Sequence, residues 1–181
     1  MDHNRVLGFG LSLGTVVDRT ACDQAVSLTA HRRFEELPAH SHVNDYLCMV
    51  LRGAFIEVQG KTTQDRSSGY FFTYQAGETH YDRYGSGGGM TLALHFGPGE
   101  LRGGRSEGSL GASTRVTAEK LAFELASNCR DELVLASLAA EIKAEVQTDA
   151  PTAGGGEWME RVVEAISDDP RRRWSLGELA A

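Results

Sequence analysis

The sequence predicts a mainly β domain followed by α-helices, and three observations predict it. Residues 6–96 contain several short stretches of β-branched, aromatic and apolar residues, separated by Gly, Asp, Ser and Asn. Residues 97–111 are rich in glycine, and after them the apolar residues recur at the spacing of a helix. Many short strands at regular spacing are typical of a sandwich or barrel, so we expect a barrel first and helices after it.

The predicted strands in the first half of the chain include residues 25–29, 46–51, 54–58 and 90–96. Gly53 tolerates a positive φ, which predicts a tight turn over residues 51–54 that joins two of these strands. Gly60 and Lys61 predict a second turn of the same kind. The glycine content of residues 97–111 predicts a flexible loop at the end of the β portion.

Two helices are predicted after this loop. Leu121 and Leu125 form an apolar stripe behind an N-cap at Thr117, and Asp131 is the predicted N-cap of a second helix. The apolar stripe of the second helix is formed by Leu135, Leu138, Ile142 and Val146. Residues 147–157, with a proline and three consecutive glycines, predict a linker.

The composition excludes several classes of protein. A net charge of -7, from 18 basic and 25 acidic residues, gives no electrostatic footprint for a nucleic-acid backbone. There is no apolar run of about 18 residues and no secretion signal at the N-terminus, so we expect a cytoplasmic protein without a membrane span. Cys22, Cys48 and Cys129 are odd in number and widely spaced, which predicts buried thiols rather than a disulfide framework.

The most specific local feature is a pair of histidines, His40 and His42, in an extended context. Alternate residues of a strand project to one face, so both imidazoles point the same way. If the strand continues without a bulge, that face also carries Asn44, Tyr46 and Cys48, which predicts a polar cavity. Gly77 permits a turn that brings His80 back to the same mouth.

These two stretches resemble the paired motifs of the cupin superfamily, in which His-x-His is followed later by a glycine-containing segment and a third histidine. The matching positions are His40, His42, Gly53, Gly69, Gly77 and His80. Tyr46 stands in the place of the usual Glu ligand, Gln75 in the place of the proline and Tyr84 in the place of a later Asn. The resemblance covers about residues 25–96 and implies a double-stranded β-helix, or jelly-roll barrel.

A cupin site would hold a divalent metal, zinc or iron or manganese, on His40, His42 and His80, since three neutral imidazoles suit an open metal site. Tyr46 is a poor replacement for the carboxylate because the unperturbed pKa of a phenol lies near 10. Asp45 is one candidate for the missing ligand, beside Cys48 and His95. In the alternative interpretation the histidines line a polar pocket and hydrogen-bond to backbone or water. The residues predicted to bind a ligand are His40, His42, Tyr46, Cys48, His80 and His95.

The two remaining histidines, His3 and His31, are predicted to lie at the surface or at a strand edge, where histidine is often found.

The chain as a whole resembles the N-terminal sensor portion of AraC-type bacterial transcription regulators. Its last segment resembles the first helix of their DNA-binding domain and the start of a helix-turn-helix, where Ser175 and Glu178 have the spacing of a capping box. The implied parts are a barrel at residues 1–111, a packing or dimerisation segment at 112–147, a linker at 148–157 and a truncated DNA-binding domain at 158–181.

This resemblance implies a regulator that senses a small molecule or a metal, forms a homodimer, and contacts DNA only through a missing C-terminal domain. The chain itself is then not an enzyme and has no membrane partner. Two other classes stay open. One is a metal-dependent cupin enzyme, an oxygenase or isomerase, that uses the same three histidines with open coordination positions. The other is a structural dimerisation module with an empty barrel.

Overall fold

The computed structural model describes residues 5–20, 25–101, 107–127 and 130–147, which form a sheet-rich fold with two helices after the sheet. The elements in chain order are β1 (Arg5–Leu7), β2 (Thr15–Thr20), β3 (Ala25–His31), β4 (Glu36–His42), β5 (Asp45–Gln59), β6 (Thr62–Ser67), β7 (Tyr70–Tyr74), β8 (His80–Phe96), β9 (Glu107–Ser109), α1 (Ala112–Leu125) and α2 (Glu132–Gln147). The mainly β fold class with helices after it is therefore confirmed for the described residues.

The two long strands β5 and β8 organise the sheet because each takes part in two layers. The first half of β5 pairs with the second half of β8, as at Tyr46↔His95, and β2, β3, β7 and β9 complete this layer. The second half of β5 pairs with the first half of β8, as at Phe55↔Tyr84, and β1, β4 and β6 complete the other layer. The sheet thus folds back on itself and leaves a cavity between its layers.

Gly53 lies inside β5 and does not end a strand, so the predicted turn over residues 51–54 is wrong. The register against β8 shifts on both sides of Gly53, which has a φ of 77°. A Cβ atom there would lie 2.1 Å from the backbone oxygen of Gly88. Glycine is needed because two strands approach closely where β5 passes from one layer to the other. The turn at Gly60, with a φ of 59°, joins β5 to β6 as predicted.

The two helices begin at different places relative to their predicted caps. Helix α1 begins at Ala112 behind Gly111, so Thr117 is not its N-cap; the Thr117 hydroxyl instead donates to Glu141 Oε1 at 3.1 Å. Asp131 caps α2 as predicted, since its Oδ1 accepts hydrogen bonds from the amides of Leu133 and Val134. The predicted loop at 97–111 also contains a short strand, β9, which pairs with β7.

Both helices pack on the outer face of the layer that holds the first half of β5. Residues of β5 alternate between faces, so Leu47 and Met49 contact the helices while Tyr46 and Cys48 face the cavity. The helices contribute a buried apolar set to this core: Ala118, Leu121, Ala122, Leu125, Leu135, Ala139, Ile142 and Val146.

Several predictions fall on parts of the chain outside the described residues. These include the linker and DNA-binding segment at 148–181, together with His3, Cys22 and Cys129. Cys48 is a free, buried thiol, as predicted. Among the helices that the structure describes, none has the length and apolar character needed to cross a membrane.

Candidate metal centre

Three histidines converge at the junction of β4 and β8. His40 and His42 are at the end of β4, and His80 begins β8, where it is the register partner of His40. Each residue offers a ring nitrogen, and these three atoms lie within 4.8 Å of one another. The ring centroids of His40 and His80 are 4.2 Å apart. The predicted convergence of His40, His42 and His80 is therefore what the geometry shows.

The three rings are buried, with exposed fractions of 3%, 4% and 3% for His40, His42 and His80. Desolvation is the main cause that lowers the pKa of each ring. For His42 and His80, repulsion from neighbouring histidine rings lowers the pKa further, to about 3 for His42 and about 2 for His80. All three imidazoles are therefore neutral at physiological pH. A neutral imidazole keeps a lone pair that is free to bind a metal ion.

The hydrogen bonds of the rings leave ring nitrogens available to bind a metal ion. His40 Nδ1 lies 2.9 Å from the carbonyl oxygen of Pro38, which only accepts, so Nδ1 carries the hydrogen and Nε2 the lone pair. The Nδ1 atoms of His42 and His80 are buried without a hydrogen bond of good geometry, although the backbones of Leu11 and Glu78 lie near these rings. A buried polar atom without a partner is costly, and a bound ion would relieve that cost.

Tyr46 and Cys48 also face the cavity, as the sequence predicts. The Tyr46 hydroxyl lies 3.1 Å from His80 Nε2, and its ring stacks on Tyr74 at a centroid distance of 4.6 Å. Desolvation raises the pKa of both the Tyr46 phenol and the Cys48 thiol. In the described structure both groups are therefore protonated and neutral at physiological pH.

His95 lies outside the histidine cluster, on the same face of the sheet as its register partner Tyr46, and its ring centroid is 6.2 Å from that of His42. It is fully buried, its Nε2 is 3.2 Å from the Ser27 hydroxyl, and its Nδ1 is 3.3 Å from Asn44 Nδ2. Desolvation lowers its pKa to about 4. Asn44 does not line the cavity; it lies between the end of β4 at His42 and the start of β5 at Asp45, where the alternation of a single strand does not apply. Asp45 is committed to backbone amides, including those of Ala76 and Gly99.

The cavity has a volume of about 40 Å³. Besides the histidines, its walls are largely aromatic and apolar and include Leu37, Phe55, Phe72, Tyr74, Tyr84 and Ala93. A buried water needs roughly 10–15 Å³ of such volume, so the space corresponds to about three waters. The enclosed part of the site is therefore small.

His31 is a further lining residue, so its predicted position at the surface is wrong. It is 8% exposed, its ring stacks on Tyr84 with centroids 4.1 Å apart, and its Nε2 lies 3.2 Å from the Thr91 hydroxyl. Strand β3 continues to His31, beyond the predicted end at residue 29, and this carries the ring into the cavity. Desolvation lowers its pKa to about 4.

Asp82 lines the cavity and was missed by the sequence analysis. Its Oδ2 lies 3.9 Å from His80 Nε2, and its Oδ1 is buried without a hydrogen bond. Desolvation and then the nearby Glu57 raise the pKa of the Asp82 carboxyl to about 8. The signal was available, because Asp82 follows His80 by two residues and therefore projects to the same face of β8.

A buried ion pair between Glu57 and Arg66 supports the aromatic wall of the site. Arg66 Nε donates to Glu57 Oε2 at 2.6 Å, and the guanidinium lies 4.5 Å from the centroid of the Phe72 ring. Tyr74 donates its hydroxyl hydrogen to Glu57, and its ring stacks on His80 at 4.4 Å. Sequence alone did not indicate this network because its members come from three strands.

No family model matches the chain, and no curated protein matches its sequence. Similar solved structures include a cupin superfamily protein from Desulfitobacterium hafniense, which is 17% identical with a TM-score of 0.40 over 43% of this chain and 71% of that chain. KdgF from Halomonas sp. is 20% identical, with a TM-score of 0.40 over 45% of this chain and 75% of that chain. Oxalate decarboxylase from Bacillus subtilis, a protein with Mn(II) centres, is 15% identical, with a TM-score of 0.41 over 54% of this chain and 28% of that chain. These similarities do not transfer an activity to this chain.

The prediction that the chain is not an enzyme is contradicted. The described residues hold a buried cluster of three imidazoles, a donor set that can support metal-dependent catalysis. The exclusion of catalysis therefore does not hold. The fold and the site define a sheet-rich protein, folded in two layers, with a candidate centre for a divalent metal.

Proposed function

We propose that this chain is a metal-dependent enzyme with a cupin-type barrel, in which His40, His42 and His80 hold one divalent metal ion. The observation that carries the proposal is the convergence of three ring nitrogens within 4.8 Å in a buried cavity. The donors fit a metal because the rings are neutral and because, among the described residues, the Nδ1 atoms of His42 and His80 have no hydrogen bond of good geometry. The spacing of the histidines in the sequence supports the same proposal.

Three imidazole ligands suit zinc, iron or manganese and leave coordination positions open for a small molecule. When bound, such an ion supplies Lewis acidity, or redox chemistry in the case of iron or manganese. Manganese is the metal named for the similar oxalate decarboxylase. The proposed reaction class is that of an oxygenase or isomerase.

The residues around the cluster would orient ligands and exclude water. The Tyr46 hydroxyl hydrogen-bonds His80 and fixes the orientation of its ring. Tyr74 stacks on the other side of His80 and is itself held by Glu57. Asp82 Oδ1 is available to hydrogen-bond a substrate atom because it has no partner among the residues that the structure describes.

Metal content provides the first test of this function. Protein purified without chelator or affinity tag should contain about one divalent ion per chain, because the three histidines form one metal site. The double variant His40→Ala/His80→Ala should contain almost none, while the control His95→Ala, outside the cluster, should retain it. Near-zero metal in all three proteins would contradict the proposal and leave a polar pocket.

Turnover provides the second test. Protein reconstituted with Fe²⁺ or Mn²⁺ is incubated in air with a panel of small organic acids, aldehydes and sugars, and oxygen uptake and isomer formation are measured. We expect turnover of at least one compound, and we expect the variant His42→Ala to abolish it because one metal ligand is lost.

A second candidate is that the same site senses a small molecule in an AraC-type regulator. The supporting observation is a groove of about 470 Å³ between α1 and α2, in which the large apolar side chain of Phe123 is 77% exposed. The groove also carries Glu119, Lys120 and Glu124, so it offers both signs of charge to a second copy of the chain. Sedimentation velocity should then show a dimer that Phe123→Asp dissociates, whereas a monomeric wild-type chain would oppose this candidate.

A further inference from the structure

We propose that the metal centre selects small ligands that are uncharged or carry a single negative charge, and that it discriminates against dicarboxylates. This inference rests on the proposed function, because the ligand would occupy a position left open on the metal. It is carried by the size of the cavity and by the charges that face it.

The size of the cavity limits what reaches the cluster. Its volume of about 40 Å³ holds roughly three waters. Phe55, Phe72 and Tyr84 form one wall and are 4%, 2% and 2% exposed. The Phe55 ring meets Phe72 edge-on at 5.9 Å and Tyr84 at 4.9 Å, so enlarging the space would disturb packed aromatic contacts. A ligand therefore enters whole only if it is small.

The charges around the cavity are unsuited to a dianion. Among the described residues that line it, none is a Lys or an Arg. The buried guanidinium of Arg66 is committed to the carboxylates of Glu57 and Glu107, with N–O distances of 2.6 Å to each. The side chains of Asp82, in the lining, and of Glu57, its register partner on β5, offer no positive charge to an anion.

Arg5, the register partner of His40 on β1, is exposed and is not part of the lining. Since none of the described lining residues supplies a cation, the metal would be the positive charge that an anion meets inside the cavity. The metal ion would neutralise the charge of one carboxylate or of one small monoanion. A second carboxylate would lose its water in a cavity without a counter-ion, and such a group is strongly disfavoured. A neutral ligand avoids this desolvation cost.

The experiment uses the intact chain loaded with Co²⁺, whose visible absorption changes with its ligands, so the readout does not depend on activity. Azide, oxamate and oxalate are titrated in parallel. Oxamate matches oxalate in shape but carries one charge less, so the two separate charge from size. We expect azide to bind most tightly and oxalate to bind at least about tenfold more weakly than oxamate, since an unpaired charge opposes its entry.

A variant that should gain oxalate binding provides the converse test. Leu13 lies at the edge of the cavity and is partly buried there. Leu13→Arg adds a cation and should strengthen oxalate binding with little effect on azide, whereas the control Leu13→Gln adds a polar group without charge and should not.

The outcomes separate this inference from the function beneath it. Wild-type protein that binds Co²⁺ but takes oxalate as tightly as oxamate would overturn the inference alone. Protein that binds Co²⁺ but none of the three anions would also overturn it. Absence of Co²⁺ binding would overturn the proposed function and this inference with it. Oxalate binding that rises in Leu13→Arg and not in Leu13→Gln supports the inference.

Discussion

The two faces of the β5–β8 layer are built on opposite principles. The face toward α1 and α2 is apolar, with Leu47, Leu94 and Leu121 fully buried. The face toward the cavity comes from the same strands but carries Tyr46, Thr91 and other polar groups. The difference arises from side-chain alternation alone, since neighbouring residues of one strand face opposite ways.

Among the described residues, four of the five buried side-chain atoms without a hydrogen bond belong to residues that line the cavity. They include His42 Nδ1, His80 Nδ1 and Asp82 Oδ1. A face that served stability alone would replace such groups with apolar side chains. The helix-facing side therefore stabilises the fold, while the cavity side keeps buried polar atoms that the described residues do not pair.

The largest expected effect comes from breaking the buried ion pair between Glu57 and Arg66 on the cavity side. Arg66→Met leaves the Glu57 carboxylate, which is 1% exposed, without its partner and should cost about 3–5 kcal/mol of unfolding free energy. The double variant Glu57→Leu/Arg66→Met should lose less, because it leaves no buried charge. Urea denaturation measures both, and a single variant as stable as the double one would show that the pair does not stabilise the site.

Truncation on the helix-facing side should come next. Leu121→Ala removes a fully buried side chain and should cost about 2–5 kcal/mol in urea denaturation. Its metal content should stay unchanged because Leu121 faces away from the cavity. Val116→Ala is the matched control on α1, where the side chain is 50% exposed, and should change stability by less than about 0.5 kcal/mol. Loss of metal in Leu121→Ala would contradict the separation of the two faces.

Metal-dependent stabilisation should be confined to the cavity side. Free Zn²⁺ at about 100 times its Kd should raise the unfolding free energy of the wild type by about 2.7 kcal/mol, if it binds only the folded state. His42→Ala should show no such gain, whereas His31→Asn, which also alters the cavity lining but lies outside the cluster, should keep it. Equal gains in all three proteins would place the ion elsewhere.

Acid should destabilise the cavity side first. Burial lowers the pKa of His31 to about 4, so below its unfolded pKa of 6.5 the unfolded chain binds a proton that the folded chain does not. The stability present above pH 6.5 is therefore lost as the pH falls toward 4, by about 1.4 kcal/mol per pH unit for this residue. Glu35, Thr91 and Tyr84 are the groups that face the ring.

Urea denaturation of wild type and His31→Asn between pH 7.5 and 4.5 isolates this contribution, since the other buried histidines titrate in both proteins. The variant should show a shallower pH dependence. Identical slopes would mean that His31 is protonated equally in both states.

Alternation and motif spacing were sufficient to predict the layered sheet, the helices and the convergence of His40, His42 and His80. Groups defined by pairing between distant strands were not predictable in this way. Glu57 and Asp82 are neighbours only because β5 and β8 align them, and a single sequence does not reveal that register. The wrong prediction of a turn at Gly53 has the same cause. A turn and a close crossing of strands both require a positive φ, and only the register of β5 against β8 distinguishes them.

The pairing of His40 with His80 has a consequence for how an ion is captured. The donors are carried by hydrogen-bonded strands, so the backbone that presents them exists before the ion arrives. We expect amide hydrogen exchange along β4 and β8 to be nearly the same in the metal-free and the metal-loaded protein. The rate of ion uptake would then be set by the shedding of its hydration water and by its passage between aromatic rings, with no requirement for the barrel to open.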